Sequence, residues 1–160
     1  PEPREPAPAG YHYEPAEASF LLLVEKILGK YKSSFDLINY KVINELPAIE
    51  GKVASAIIKI RVNGVTKIAA SDGEGPVHAM DLALRAALAD FYPEIAKMSL
   101  TDFKVRVLDS GKATAAKVRV LITSADSADS WTTVGVSVDI IEASWIALTD
   151  SIDYALMRRK

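Results

Sequence analysis

Few residues in this 160-residue chain have the chemistry to catalyse anything. His12 and His78 are the only histidines, and there is no cysteine. Metal sites gather His, Cys or carboxylate at recognisable spacing, and neither histidine has such a neighbourhood. Each reads as a surface or capping residue. No serine has the nearby histidine that nucleophilic attack requires. Without thiols there are no disulfides, thiolate nucleophiles or cysteine-bound metals. Gly73-Glu74-Gly75-Pro76 could offer backbone N–H groups to an anion at a helix start, but it lacks a Walker or full dinucleotide pattern. A strand-to-helix turn is the expectation there. Lys104 and Arg106, and again Lys117 and Arg119, alternate along two extended segments. Such a stripe suits either phosphate or a solvated sheet face, and the solvated face is expected. Ala113, Ala115 and Ala116 leave two options open, close backbone packing or room for a small apolar ligand. Trp131 and Trp145 read as core or interface anchors.

The elements that must position these residues form a near-repeat. Leu37-Ile38-Asn39-Tyr40-Lys41-Val42 returns as Leu100-Thr101-Asp102-Phe103-Lys104-Val105. Ala79, Ala83 and Leu84 fall in step with Ala143, Ala147 and Leu148. Each copy reads strand, strand, strand, helix. In the first copy, strands are predicted over 36–44, 54–62 and 65–71, with Asn63-Gly64 as a hairpin turn. A helix then begins near Pro76 and ends before Pro93. In the second, strands are predicted over 101–108, 114–123 and 131–138, the last two joined by a polar loop at 124–129. Asp139 is an N-cap, Glu142 can complete a capping box, and the helix runs toward Met157. Arg158-Arg159-Lys160 would complement its negative end. Ahead of the repeats, Phe20, Leu23, Val24 and Ile27 recur at helical spacing, with Pro15 in the first turn and Gly29 closing the helix. The short joins imply antiparallel meanders, each covered by one helix. The expected fold is α+β: tandem βββα repeats with pseudo-twofold symmetry, preceded by one linker helix. Residues 1–15 are a linker, 16–30 the linker helix, and 31–160 a domain of two repeats at about 35–95 and 100–160.

Composition narrows the function classes. Apolar residues make up 49% of the chain, too many for a disordered protein. The net charge is −2, from 19 basic and 21 acidic residues, too balanced for a dedicated polyanion binder. Double-stranded-RNA-binding domains share the helix and three-strand order, but they need lysines at the start of their last helix. Residues 74–84 and 139–148 contain no lysine or arginine. No nucleic-acid or membrane partner is expected: no apolar run approaches the ~18 residues of a membrane span, and a cytoplasmic setting fits. Pro1 to Pro8 does not read as a signal peptide. The chain opens on Pro1 rather than Met, as a portion of a longer protein would.

Three stretches carry a resemblance. They are Trp131-Thr132-Thr133-Val134-Gly135-Val136-Ser137-Val138-Asp139-Ile140-Ile141-Glu142-Ala143-Ser144-Trp145, Gly10-Tyr11-His12-Tyr13-Glu14-Pro15-Ala16-Glu17-Ala18-Ser19-Phe20, and Gly73-Glu74-Gly75-Pro76-Val77. Together they resemble the C-terminal regulatory (LeuA-type dimerisation) region of the family formed by (R)-citramalate synthase and 2-isopropylmalate synthase, most of all its citramalate branch. That branch often has Asn where this chain has Asp139, which preserves the capping chemistry. The resemblance implies a homodimer that binds a small effector, isoleucine or leucine, for feedback inhibition. It implies an attached catalytic barrel, absent from this chain, that condenses acetyl-CoA with a 2-oxo acid using a divalent metal. This chain itself is then no enzyme and needs no cofactor. Carried onto matching positions, the effector site uses Leu88, Phe91, Ile95, Val107, Asp109, Ala113, Ala115 and Val136, near the seam of the repeats. Two readings from other classes stand beside it: a dimerisation module with no ligand, and RNA binding.

Overall fold

The computed structural model describes residues 16–108 and 116–158, with the side chains of 48 and 49 excepted. The elements are α1 (Glu17–Ile27), β1 (Asp36–Ile49), β2 (Lys52–Val62), β3 (Val65–Gly73), α2 (Pro76–Leu88), a 3-10 turn (Pro93–Lys97), β4 (Ser99–Val107), β5 (Val118–Ala125), β6 (Ser130–Ser137) and α3 (Ile140–Met157). They make two antiparallel three-stranded sheets, ordered β1-β2-β3 and β4-β5-β6. The class is α+β, and each sheet is followed by one helix. Two compact units result. One runs Lys32–Met98; the other joins the segment up to Tyr31 with everything from Ser99 onward.

In the unit Lys32–Met98, β2 alternates cleanly. Ala54, Ala56, Ile58, Ile60 and Val62 are buried. Against them α2 buries Ala79, Met80, Ala83, Leu84, Ala87 and Leu88. Each large side chain so covered contributes ~1.5–3 kcal/mol relative to exposure. Gly73 lets the helix come close: a Cβ there would lie 2.4 Å from the Ala79 nitrogen. Asp81 is buried on this helix and accepts from Arg85 Nε at 2.9 Å. The Arg85 guanidinium also donates to the Met98 carbonyl, fastening the end of the unit to its helix.

Both sheets carry the same irregularity. The β1–β2 register slips between Leu37 and Asn39, and the β4–β5 register slips between Leu100 and Asp102. Ile38 and Thr101, matched in the sequence repeat, are thus both the extra residue of a β-bulge. The repeat is preserved down to a backbone defect.

Several boundaries differ from the sequence expectation. β1 continues past Asn44 to Ile49, and β2 starts at Lys52 rather than Ala54. Glu50 and Gly51 join them with φ of 52° and 76°, the two positive angles of a tight hairpin. Asn63 and Gly64 do the same between β2 and β3, as predicted. β5 is described from Val118; its expected start at Thr114 lies outside the described residues, as do the linker 1–15 with Pro15 and His12. Gly29 does close α1, with φ +69°. No described helix is long and apolar enough to cross a membrane.

Candidate functional site

Three of the residues assigned by resemblance lie where α2 ends. Leu88 is its last residue, and its carbonyl accepts from Phe91 N–H at 3.0 Å and Tyr92 N–H at 2.9 Å. Ile95 N–H donates in turn to the Tyr92 carbonyl at 3.1 Å. Tyr92 Oη donates to the Ser34 carbonyl at 2.7 Å, pinning this corner to the start of the unit. The three are therefore brought together by consecutive turns. Leu88 and Ile95 are core residues of the unit, while Phe91 keeps part of its surface.

Val107 and Val136 belong to the other unit, at one end of its sheet. Val107 pairs with Val118, which pairs with Ser137; one row away Arg106 pairs with Arg119, which pairs with Val136. Val107 is 66% exposed and Val136 half-buried. Val107 and Val136 thus face opposite sides of the sheet, one row apart, with Val136 on the side of Arg106 and Arg119. Asp109, Ala113 and Ala115 lie outside the described residues.

The turn from β6 into α3 holds a network rather than a simple box. Asp139 Oδ1 accepts from Ile141 N–H at 2.8 Å, as an N-cap should. Glu142 does not reach back to the Asp139 N–H. Ser137 intervenes: its Oγ accepts from Asp139 N–H at 3.1 Å and donates to Glu142 Oε2 at 2.6 Å. At the far end of α3, Arg158 does not cap the helix through its side chain. Its guanidinium lies 5.0 Å over Trp131 and 5.6 Å over Tyr154, with Asp129 at 3.6 Å. His78 Nδ1 accepts from Glu74 N–H at 3.1 Å, the capping role expected of it.

Sequence reasoning missed how α1 is held. It packs on β6 and α3. Ser19 Oγ accepts the buried Val134 N–H at 2.9 Å and donates to Asp150 Oδ2 at 3.1 Å. Covering the free edge of β6 in this way removes an unpaired row of backbone groups, and it explains why Val134 is buried out of alternation. Tyr31 Oη donates to Asp153 Oδ2 at 2.5 Å, and Lys26 lies 4.9 Å over the Tyr31 ring. Burial pushes the Asp150 carboxyl up to about 6, with Asp153 adding to the rise; the Ser19 hydrogen bond and Lys26 act against it. Residues 115 positions apart meet here, which no local pattern announces.

Sequence reasoning also set aside the basic stripe. On the face of its sheet away from α3, Lys104, Arg106, Arg119 and Leu121, with the intervening Val105 of β4, line a cavity of about 460 Å³. Among the described residues no cluster of three or more His, Asp or Glu gathers as metal ligands.

With this geometry in hand, comparisons with known proteins are specific. A family model described as "LeuA allosteric (dimerisation) domain" matches residues 14–156. The (R)-citramalate synthase of Aquifex aeolicus (strain VF5) is 47% identical over 155 residues, 93% of this chain and 28% of that protein. Those of Geobacter sulfurreducens and Synechocystis sp. are 46% and 44% identical, each over 92% of this chain and 28% of the relative. The chain thus spans little more than a quarter of the length of these relatives.

Proposed function

On the premise that the chain belongs to the LeuA allosteric (dimerisation) domain family, we propose that it is the amino-acid-sensing and dimerising portion of a citramalate synthase, with isoleucine as inhibitory effector. The observation that carries this reading is the reach of the family match. It runs from residue 14 to residue 156, through both βββα repeats and α1. The relatives at 47%, 46% and 44% identity all bear the citramalate synthase name. On this reading the whole protein joins acetyl-CoA to pyruvate in a metal-dependent barrel, and this chain reports the level of the end product to it.

The effector contacts are those the resemblance assigns: Leu88, Phe91, Ile95, Val107, Asp109, Ala113, Ala115 and Val136. A branched aliphatic side chain gains ~0.8 kcal/mol for each CH₂ it buries among such residues. Its ammonium and carboxylate need fixed polar partners, because burying them unpaired is costly. Shape alone separates isoleucine from leucine by at most ~1–3 kcal/mol. Inhibition follows by linkage: the effector favours a less active arrangement of the attached barrel, by no more than its difference in affinity for the two arrangements.

Calorimetric titration with isoleucine, leucine and valine, followed also by Trp131 and Trp145 fluorescence, tests the reading. Isoleucine is expected to bind tightest. Absence of heat with all three overturns the sensor, and tighter leucine binding moves the chain to the sister enzyme. Ala115→Leu is expected to abolish effector binding while sedimentation still reports a dimer. Phe91→Ala, at the half-exposed member of the α2 corner, is expected to weaken binding without unfolding the unit.

A further inference from the structure

We propose that the open face of the second sheet, between β4 and β5, is a binding site for a small organic anion carrying two or more negative charges. It adjoins two of the proposed effector contacts, since Arg119 pairs with Val136 and Arg106 precedes Val107, but its own lining residues are none of them. The first observation is the register. Arg106 stands directly opposite Arg119 on the neighbouring strand. Like charges so placed destabilise a sheet unless something neutralises them. The second is the absence of that neutraliser: among the described residues no carboxylate pairs with either arginine. The third is Arg119 Nε, which is buried and has no hydrogen-bond partner among the described residues. A buried N–H of a cation left unmade is expensive. The fourth is the space: these two arginines, with Lys104, Val105 and Leu121, line the cavity of about 460 Å³, a volume that suits a small molecule.

The chemistry of the lining defines the ligand class. Lys104 and Arg106 are two residues apart on β4 and so point the same way, roughly 7 Å apart along the strand. Among the described residues, Lys104 is committed only to a loose, exposed pair with Asp102 at 3.5 Å. Two guanidinium forks donate to planar or tetrahedral oxyanions in bidentate fashion, and a lysine adds a point charge beyond them. Leu121, opposite Lys104, gives the ligand's carbon skeleton a short apolar floor. A single monoanion would leave most of this charge unanswered. A phosphate ester or pyrophosphate and a dicarboxylate share the required chemistry.

The test is thermal unfolding and calorimetry of the 160-residue chain in a buffer free of multivalent anions, with inorganic pyrophosphate in one arm and succinate in the other. Sodium chloride at matched ionic strength is the control. A saturable rise in melting temperature beyond the chloride control is expected in at least one arm. Saturation with pyrophosphate alone identifies a phosphate ligand, and with succinate alone a carboxylate ligand. Arg106→Gln, at an exposed side chain that puts folding at little risk, is expected to weaken binding roughly ten-fold or more, as is Arg119→Gln. Without any anion, Arg106→Gln should leave the melting temperature unchanged or raise it, because it relieves repulsion. The proposal is overturned if neither anion exceeds chloride, or if Arg106→Gln binds like the parent. It is also overturned if Arg106→Gln lowers the melting temperature without anion, the sign of a counter-charge supplied by the chain itself.

Discussion

In the first repeat the helix meets its sheet through Met80, Leu84 and Leu88 over Ile58 and Ile60. In the second, hydroxyls run through the same kind of interface. Ser124 Oγ and Ser151 Oγ lie 2.6 Å apart, Trp131 Nε1 donates to Ser151, and Thr133 donates to the Ala147 carbonyl at 2.7 Å. The second repeat also carries α1 on its sheet edge, the cationic cavity on its open face and a capped helix. The open face of the first bears Ile57 and Ile68 beside Lys59 instead. Both halves keep the bulge, the alanines under the helix and one glycine on the third strand. The parts that set backbone distances are shared, while the polar groups differ: the first copy sets Arg85 between Asp81 and the Met98 carbonyl, and the second has its line of hydroxyls. Duplicated scaffolds diverge in this order because a shifted backbone disturbs every packed neighbour, whereas a new hydroxyl needs only one partner.

The sharpest way to break the comparison is at the two glycines. A Cβ on Gly135 would lie 1.9 Å from the Ala143 carbonyl oxygen and 3.0 Å from the Ala147 nitrogen, all backbone atoms. Gly135→Ala must push α3 off its sheet and should cost ~3 kcal/mol or more in urea unfolding. Gly73→Ala faces Ala79 at 2.4 Å, but Gly73 ends its strand beside the Glu74-Gly75 turn, which can give. It should cost clearly less. Equal costs would mean that the two helices are held with the same rigidity.

Legibility in the sequence follows the same division. The two meanders, Asn63-Gly64, the turn at Pro76 and the Asp139 cap were all visible, because each is a local signal with a fixed chemical cause. The Glu50-Gly51 hairpin was hidden: Pro47 reads as a strand breaker, and Glu is a poor advertisement for positive φ. Glu142 was assigned a capping box that Ser137 occupies instead, since pattern cannot tell which of two neighbours is nearer. Arg106 facing Arg119 was invisible for a different reason. Alternation shows that both are on one face, but only the register, itself shifted by the bulge at Thr101, makes them partners. Of the effector residues, Leu88 and Ile95 were recognisable as apolar helix and turn positions; their burial within one unit required coordinates.

The attachment of α1 gives the next tests. Ser19→Ala leaves the buried Val134 N–H without its acceptor and Asp150 without its donor, a loss of about 1–3 kcal/mol. Ser55→Ala, which breaks an exposed 2.6 Å bond to Asp72 on the first sheet, should stay within about 0.5 kcal/mol. Asp150 then sets a pH dependence. Its folded pKa of about 6 exceeds the ~3.9 of an unfolded aspartate, so the folded state holds the proton more tightly. Stability contributed by this group is therefore full below about pH 4, falls as pH rises toward 6, and is flat beyond. Asp150→Asn should remove that slope. The difference between variant and parent, measured by urea unfolding, should grow in the variant's favour by on the order of 1–3 kcal/mol between pH 4 and pH 8. A constant difference would show that Asp150 is solvated like any surface carboxylate.

The smallest effect concerns the helix starts, and it asks whether a difference between the copies can be erased. α3 has Asp139 accepting from Ile141 N–H, while α2 begins behind Gly75 with no side-chain cap. Gly75 is extended, with φ −165° and ψ 174°, and a Cβ there would meet nothing within 4 Å. Extended backbone is what any residue before a proline adopts, so Pro76 tolerates the exchange. Gly75→Asp supplies an acceptor to the first turn, places a negative charge at the helix N-terminus and reduces the freedom of the unfolded chain. A gain of a few tenths to about 1 kcal/mol is expected. Asp139→Gly in α3 should lose only a few tenths, and Asp139→Ala about 1. His78 Nδ1 takes the Glu74 N–H, which lies ahead of the helix, so it does not compete for the first-turn N–H groups that the new carboxylate would serve; no gain from Gly75→Asp would mean that the carboxylate fails to reach them.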